Sequence, residues 1–196
     1  MTGPRPPADL AGRVPNILSI DAGAILHRFF AAEHDPIHFD RSSLGRLNAP
    51  DGSYGVLYAA DDVQGAFAEI FLRSPGRRQI DPGLLSRRAY ARLEVVRRLT
   101  LVHFDGPGLA ILGATAEVVH SAPPYDGPQG WSKALRSHPA RPDGVAYSSR
   151  HDPQELCHAL FDDTLPVVRE HDRQTVLDGA WFWELADDYS MGRPPG

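Results

Sequence analysis

The sequence has one cysteine, Cys157, and one lysine, Lys133, among its 196 residues. A single thiol excludes an internal disulfide and a cysteine-rich zinc site, and it fits a reducing cytoplasm. A run of about 18 apolar residues is missing, which excludes a membrane-spanning helix. The first residues, MTGPRPPADLAGRVP, lack the basic-then-apolar layout expected of a secretory signal. There is no G-x-x-x-x-G-K-S/T, Gly106-Pro107-Gly108 lacks the further glycine of a dinucleotide fingerprint, and neither G-x-S-x-G nor H-E-x-x-H occurs. These gaps set aside phosphate-loop, Rossmann, serine-hydrolase and zincin chemistry. Positive charge is not in excess either. With 20 basic and 25 acidic residues the net charge is −5, so no overall field draws nucleic acid or anionic lipid.

What is present is arginine, which supplies every basic residue except Lys133. Codon bias in a GC-rich genome accounts for most of this. Guanidinium is nonetheless the better fork for phosphate and carboxylate, and a slightly acidic protein with a few placed arginines suits a small anionic ligand. Hydrophobic residues at 42% and charged residues at 23% are those of one globular domain. Eighteen prolines and 18 glycines, spread evenly, predict short elements with many turns. Residues 1–16, rich in proline, read as a loose arm, residues 17–190 as the domain, and residues 191–196 as a disordered tail.

Apolar, β-rich runs predict strands over Ala24 to Phe30, Gly55 to Ala60, Tyr90 to Val96, Leu99 to Phe104, Gly144 to Ser148 and Leu165 to Arg169. Helical spacing predicts Val63 to Leu72, capped by Asp62, and Gln129 to Ser137. A third helix is expected over Pro153 to Phe161, with Asp152 as its cap and Pro153 in its first turn. Without strict β-α alternation, the expected fold is α+β, with a curved mixed, partly antiparallel sheet flanked by short helices. Nine histidines invite a metal, but Pro36 breaks the spacing of His34 and His38, and no metal site is expected. Cys157 reads as a packed thiol. The arginines from Arg87 to Arg92, with Arg97 and Arg98, read as a solvated face or a surface for an acidic partner.

Four polar residues sit oddly. Arg28 interrupts an apolar strand, Arg46 lies in the turn-rich stretch Gly45 to Pro50, Tyr58 falls at the end of Gly55-Val56-Leu57-Tyr58, and Glu69 stands one step from the apolar stripe of its helix. Further on, Asp143-Gly144-Val145-Ala146-Tyr147-Ser148-Ser149-Arg150 is a strand ending in two hydroxyls and a guanidinium. In order and spacing these segments resemble the RES domain, a family named for an arginine, a glutamate and a serine in a shared pocket. The helix around Gln129-Gly130-Trp131-Ser132 is a weaker match. The likeness covers about residues 24 to 165. Leu47 stands where the family usually has an aromatic, Ala49 is inserted before Pro50, and two serines are adjacent. Register from Asp143-Gly144 gives Ser149 the serine's place, with Ser148 as the fallback.

The resemblance implies an ADP-ribosyltransferase-like domain with NAD as its substrate. It implies a cytoplasmic toxin that breaks the nicotinamide–ribose bond by hydrolysis or, with inorganic phosphate as co-substrate, by phosphorolysis. Transfer of ADP-ribose to a protein is the alternative, and a catalytically inactive nucleotide-binding module is another. A toxin further implies a cognate antitoxin, expected to be of the Xre helix-turn-helix type; a homodimer is left open. Within that chemistry Glu69 would stabilise the oxocarbenium-like transition state. Tyr58 would stack on nicotinamide, Arg28 and Arg46 would fork onto the pyrophosphate, and Ser149 would bond the ribose or shape the pocket.

Overall fold

The structure, a computed structural model, describes residues 3–162 and 166–194. In chain order the strands are β1 (Ile17–Ile20), β2 (Ile25–Ala31), β3 (Val56–Ala60), β4 (Arg88–Val95), β5 (Leu99–His103), β6 (Gly144–Ser148), β7 (Leu156–Phe161) and β8 (Val168–Gln174). The helices are α1 (Val63–Phe71), α2 (Pro82–Ser86), α3 (Pro107–Leu112), α4 (Ala116–His120), α5 (Asp126–Arg136) and α6 (Ala180–Asp188). The strands make one sheet in the order β1-β5-β6-β7-β3-β2-β4-β8. β5 and β6 run parallel, and the other neighbours are antiparallel. The α+β class with a mixed sheet is therefore the observed one.

Period-two alternation along the strands divides the interior in two. On one face Phe29, Tyr90, Cys157 and Phe161 meet helix residues such as Phe67, Trp131 and Phe182. On the other, Leu26, Phe30, Leu57, Leu93, Leu101 and Leu160 pack among themselves, so the sheet curls over its own side chains. Among the described residues no helix is long and apolar enough to cross a membrane.

The helix expected over Pro153 to Phe161 is instead the strand β7. β7 pairs with β3 on one side and β6 on the other, and its residues feed both interiors. A central strand buried on both faces is a continuous apolar run with no period-two signal, so leucine, alanine and a proline-led start mimic a helix. Asp152 closes a turn: its carbonyl accepts from Glu155 N at 3.0 Å and its carboxylate from Gln154 N at 3.2 Å. Asp62 precedes α1 in extended backbone but makes no side-chain cap bond. The strand expected from Leu165 starts outside the described residues; the described strand is Val168–Gln174.

Described residues near both ends of the chain touch the body. Trp131 Nε1 donates to the Pro4 carbonyl at 2.6 Å, His138 Nε2 donates to the Leu10 carbonyl at 3.1 Å, and Leu10 is buried. Near the C-terminus Met191 is buried, and Gly192 exchanges backbone bonds with Arg78 and Ile80.

Candidate active site

The site arises where the sheet parts. β2 pairs with β4 along its whole length, but with β3 it shares one paired position, His27 with Ala60. Arg28 spans the gap that opens beside it: Nη1 donates to the Tyr58 carbonyl at 2.6 Å, and Nη2 approaches the His38 carbonyl at 3.5 Å. Burial lowers the Arg28 pKa to about 10, against the pull of Asp40 and Tyr58. The group remains a cation at neutral pH. Its Nε is buried without a partner, so this donor is still to be satisfied.

Across the gap, the turn carrying Arg46 is locked from three sides. The Tyr58 hydroxyl accepts from Leu47 N at 2.8 Å and donates to Asn48 Oδ1 at 2.9 Å. Asn48, fully buried, donates through Nδ2 to Asp40 Oδ2 at 2.9 Å and to the Ser42 carbonyl at 2.8 Å. From α5, Gln129 Nε2 donates to the Ser43 and Gly45 carbonyls, and Ser132 Oγ to the Leu47 carbonyl. Position 45 has to be glycine, because a Cβ there would stand 2.2 Å from Asn48 Oδ1. Arg46 then lies over the Tyr125 ring, 5.9 Å from its centroid, with Nε buried and unpartnered. Burial raises the Tyr58 pKa, keeping it a phenol.

Glu69 comes from α1, whose Ala66, Phe67, Ala68 and Phe71 are buried. Its Oε1 accepts from Ser149 Oγ at 2.8 Å. Ser149 has no exposed surface, and its oxygen also accepts from His151 N at 3.2 Å and Asp152 N at 3.4 Å. Ser149 thus stands behind Glu69 and aims it. With no exposed surface, Ser149 sits behind the cleft wall and not in it. Ser148 points elsewhere, toward Asp105 and His120 at 3.3 Å each, as strand alternation dictates. Ser149→Ala is expected to lower turnover about tenfold with little change in KM, because the carboxylate remains but loses its fixed direction. Steady-state kinetics checks this, and a wild-type kcat would overturn it.

Arg28, Arg46, Tyr58 and Glu69 line one cleft of about 800 Å3, with Tyr147 and His151 also in its wall. Sequence reasoning did not single out these last two, nor Asn48, Gln129 and Ser132. Burial lowers the His151 pKa, so the imidazole is neutral at pH 7. Cys157 borders the cleft, but it is buried and burial pushes its thiol pKa up. That is the wrong direction for a nucleophile.

The family model described as the RES domain matches residues 25–184. The chain belongs to the RES domain family. The match takes in every strand and helix that builds the RES cleft. A curated relative, described as "Probable toxin y4kH" of Sinorhizobium fredii (strain NBRC 101917 / NGR234), is 30% identical over 102 residues, covering 52% of this chain and 79% of that protein. Among solved structures, the crystal structure of the M. tuberculosis MbcT–MbcA toxin–antitoxin complex holds a chain similar in fold, with a TM-score of 0.68 and 16% identity. The alignment covers 86% of this chain and 92% of that one.

Proposed function

We propose that this RES protein is an NAD-consuming toxin that breaks the bond between nicotinamide and ribose, by hydrolysis or by phosphorolysis, and that a cognate antitoxin covers the cleft. One observation carries the reading: a carboxylate, a phenol ring and two cationic forks from four separate segments face one cleft with room for a dinucleotide. The description of the Sinorhizobium relative as a toxin and the capture of the mycobacterial neighbour with an antitoxin support the biological half.

The chemistry follows from charge. As nicotinamide departs with the bonding electron pair, positive charge grows on the ribose, and Glu69, aimed by Ser149, is placed to stabilise it. Tyr58, its hydroxyl tied to the Arg46 turn, presents a ring fixed at its tip on which nicotinamide can stack. The guanidinium forks of Arg28 and Arg46, both in the cleft wall, suit the pyrophosphate oxygens. Leu47 and Ala49, two of the three departures from the family pattern, are buried and leave the turn closed on Tyr58, which supports an active site rather than an inert module.

Incubating the purified chain with NAD, with and without inorganic phosphate, tests this. Nicotinamide with ADP-ribose marks hydrolysis; nicotinamide with ADP-ribose phosphorylated at the freed anomeric carbon marks phosphorolysis. Absence of nicotinamide overturns the reading. Arg28→Ala is expected to weaken NAD binding about tenfold or more, since it removes a charge-assisted donor and also the bridge to β3. Arg28→Lys is expected to recover the charge but not the bridge. Calorimetry reads both, and unchanged affinity would leave Arg28 as a structural strut alone.

A further inference from the structure

The arginine-rich run that reads as a solvated surface divides in the structure. Arg87 is exposed and Arg92 pairs with Asp172, but Arg88 is half-buried in the wall of the cleft. Arg88 opens β4 and is paired with Ala31, whereas Arg28 lies three residues earlier on β2, opposite Ala91. The strand rise puts Arg88 roughly 10 Å farther along the sheet than Arg28. Arg73, just past α1, also lines this end, and its Nε donates to the Glu69 carbonyl at 2.5 Å.

Neither Arg73 nor Arg88 makes an ion pair among the described residues, and Arg88 Nε is buried with no hydrogen-bond partner. The two carboxylates in the cleft wall are engaged elsewhere: Asp40 accepts from Ser42 and Asn48, and Glu69 from Ser149. Burial, Arg73 and Arg87 all lower the Arg88 pKa, and Glu33, whose side chain is 80% exposed, pulls it weakly the other way. A half-buried cation with an unfilled donor, beside a second cation at the surface, is costly unless an anion joins them.

We propose that Arg73 and Arg88 form a second anion subsite in the cleft, separate from Arg28 and Arg46, which takes a phosphate dianion. The dianion is either a phosphate ester on the adenosine ribose of the ligand or free inorganic phosphate. The subsite stands on its own geometry, and rests on the proposed NAD reading only for the identity of the rest of the ligand.

Calorimetry on the full chain distinguishes the sources, with inorganic phosphate, ADP-ribose and ADP-ribose phosphorylated on the adenosine ribose as probes, none of which has a nicotinamide bond to break. For an ester, the phosphorylated probe binds at least tenfold tighter than ADP-ribose, and Arg88→Ala and Arg73→Gln each bring the ratio near one. For free phosphate, inorganic phosphate binds saturably, and both variants weaken it at least tenfold while ADP-ribose binds as before. Thermal melting confirms folding, and exposed Arg73 keeps the test open should Arg88→Ala not fold. The subsite is overturned if wild type shows neither effect, if both variants bind all probes as wild type does, or if remote Arg98→Ala weakens binding equally. Nicotinamide release from NAD is read separately: its absence with the phosphate effects intact overturns the catalytic reading alone, and the converse pattern the subsite alone.

Discussion

Replacing Glu69 by glutamine is expected to cut NAD turnover at least a hundredfold while NAD still binds with near wild-type affinity. The substitution keeps the size of the side chain, and an amide oxygen still accepts from the Ser149 hydroxyl, whose oxygen lies 2.8 Å from Oε1. What disappears is the negative charge that, in the proposed reaction, faces the carbon where positive charge develops. A charge pre-placed in that way is worth about 3–4 kcal/mol to the transition state and little to the ground state. The effect therefore falls on kcat rather than on KM. Product quantification with calorimetry on the same preparation checks both halves. A variant keeping more than about a tenth of the wild-type rate would remove Glu69 from the mechanism.

How much of this was legible in the sequence differs between frame and site. Ile25–Ala31, with its isoleucine and paired phenylalanines, and Gly144–Ser148, between glycine and serines, were readable from local composition although both feed the two interiors. β7 was not, since its Leu-Cys-His-Ala-Leu-Phe run has no β-branched residue and follows Asp152-Pro153, a helix-start pattern, while its pairing with β3 and β6 is invisible to local pattern. The four polar residues of the cleft stood out because each interrupts an apolar pattern. Their supports did not: Asn48, Gln129 and Ser132 are ordinary polar residues of a turn and a helix. What distinguishes them is their partners, as when Ser132 reaches the Leu47 carbonyl across 85 positions of chain. Arg88 was misjudged for a related reason. Its neighbours in sequence are solvated arginines, but Arg88 opens β4 and lies in the cleft wall, whereas Arg87 closes α2 and is exposed.

Phe182→Ala is expected to be the most destabilising of the single substitutions considered, and to spare the site's chemistry while the protein stays folded. Phe182 has no exposed surface, and its ring lies 5.1 Å from Phe71, 5.7 Å from Phe67 and 6.2 Å from Phe29. It clamps α6 onto the helix that carries Glu69 and the strand that carries Arg28. Truncating a buried phenylalanine costs about 3–5 kcal/mol, a large part of the 5–15 kcal/mol that typically holds a domain together. For a chain of this length that lowers the melting midpoint by roughly 10 °C. Val176→Ser, at a side chain in a residue 77% exposed, should leave the midpoint nearly unchanged. Below the new transition, kcat and KM should stay within a few-fold of wild type, because every polar contact that aims Glu69 and Arg28 comes from outside α6. Melting curves and nicotinamide release measured side by side separate the two quantities. A midpoint drop of less than about 3 °C would show that the aromatic cluster does not bind α6 to the body, while a tenfold loss of kcat in fully folded protein would make α6 part of the catalytic scaffold.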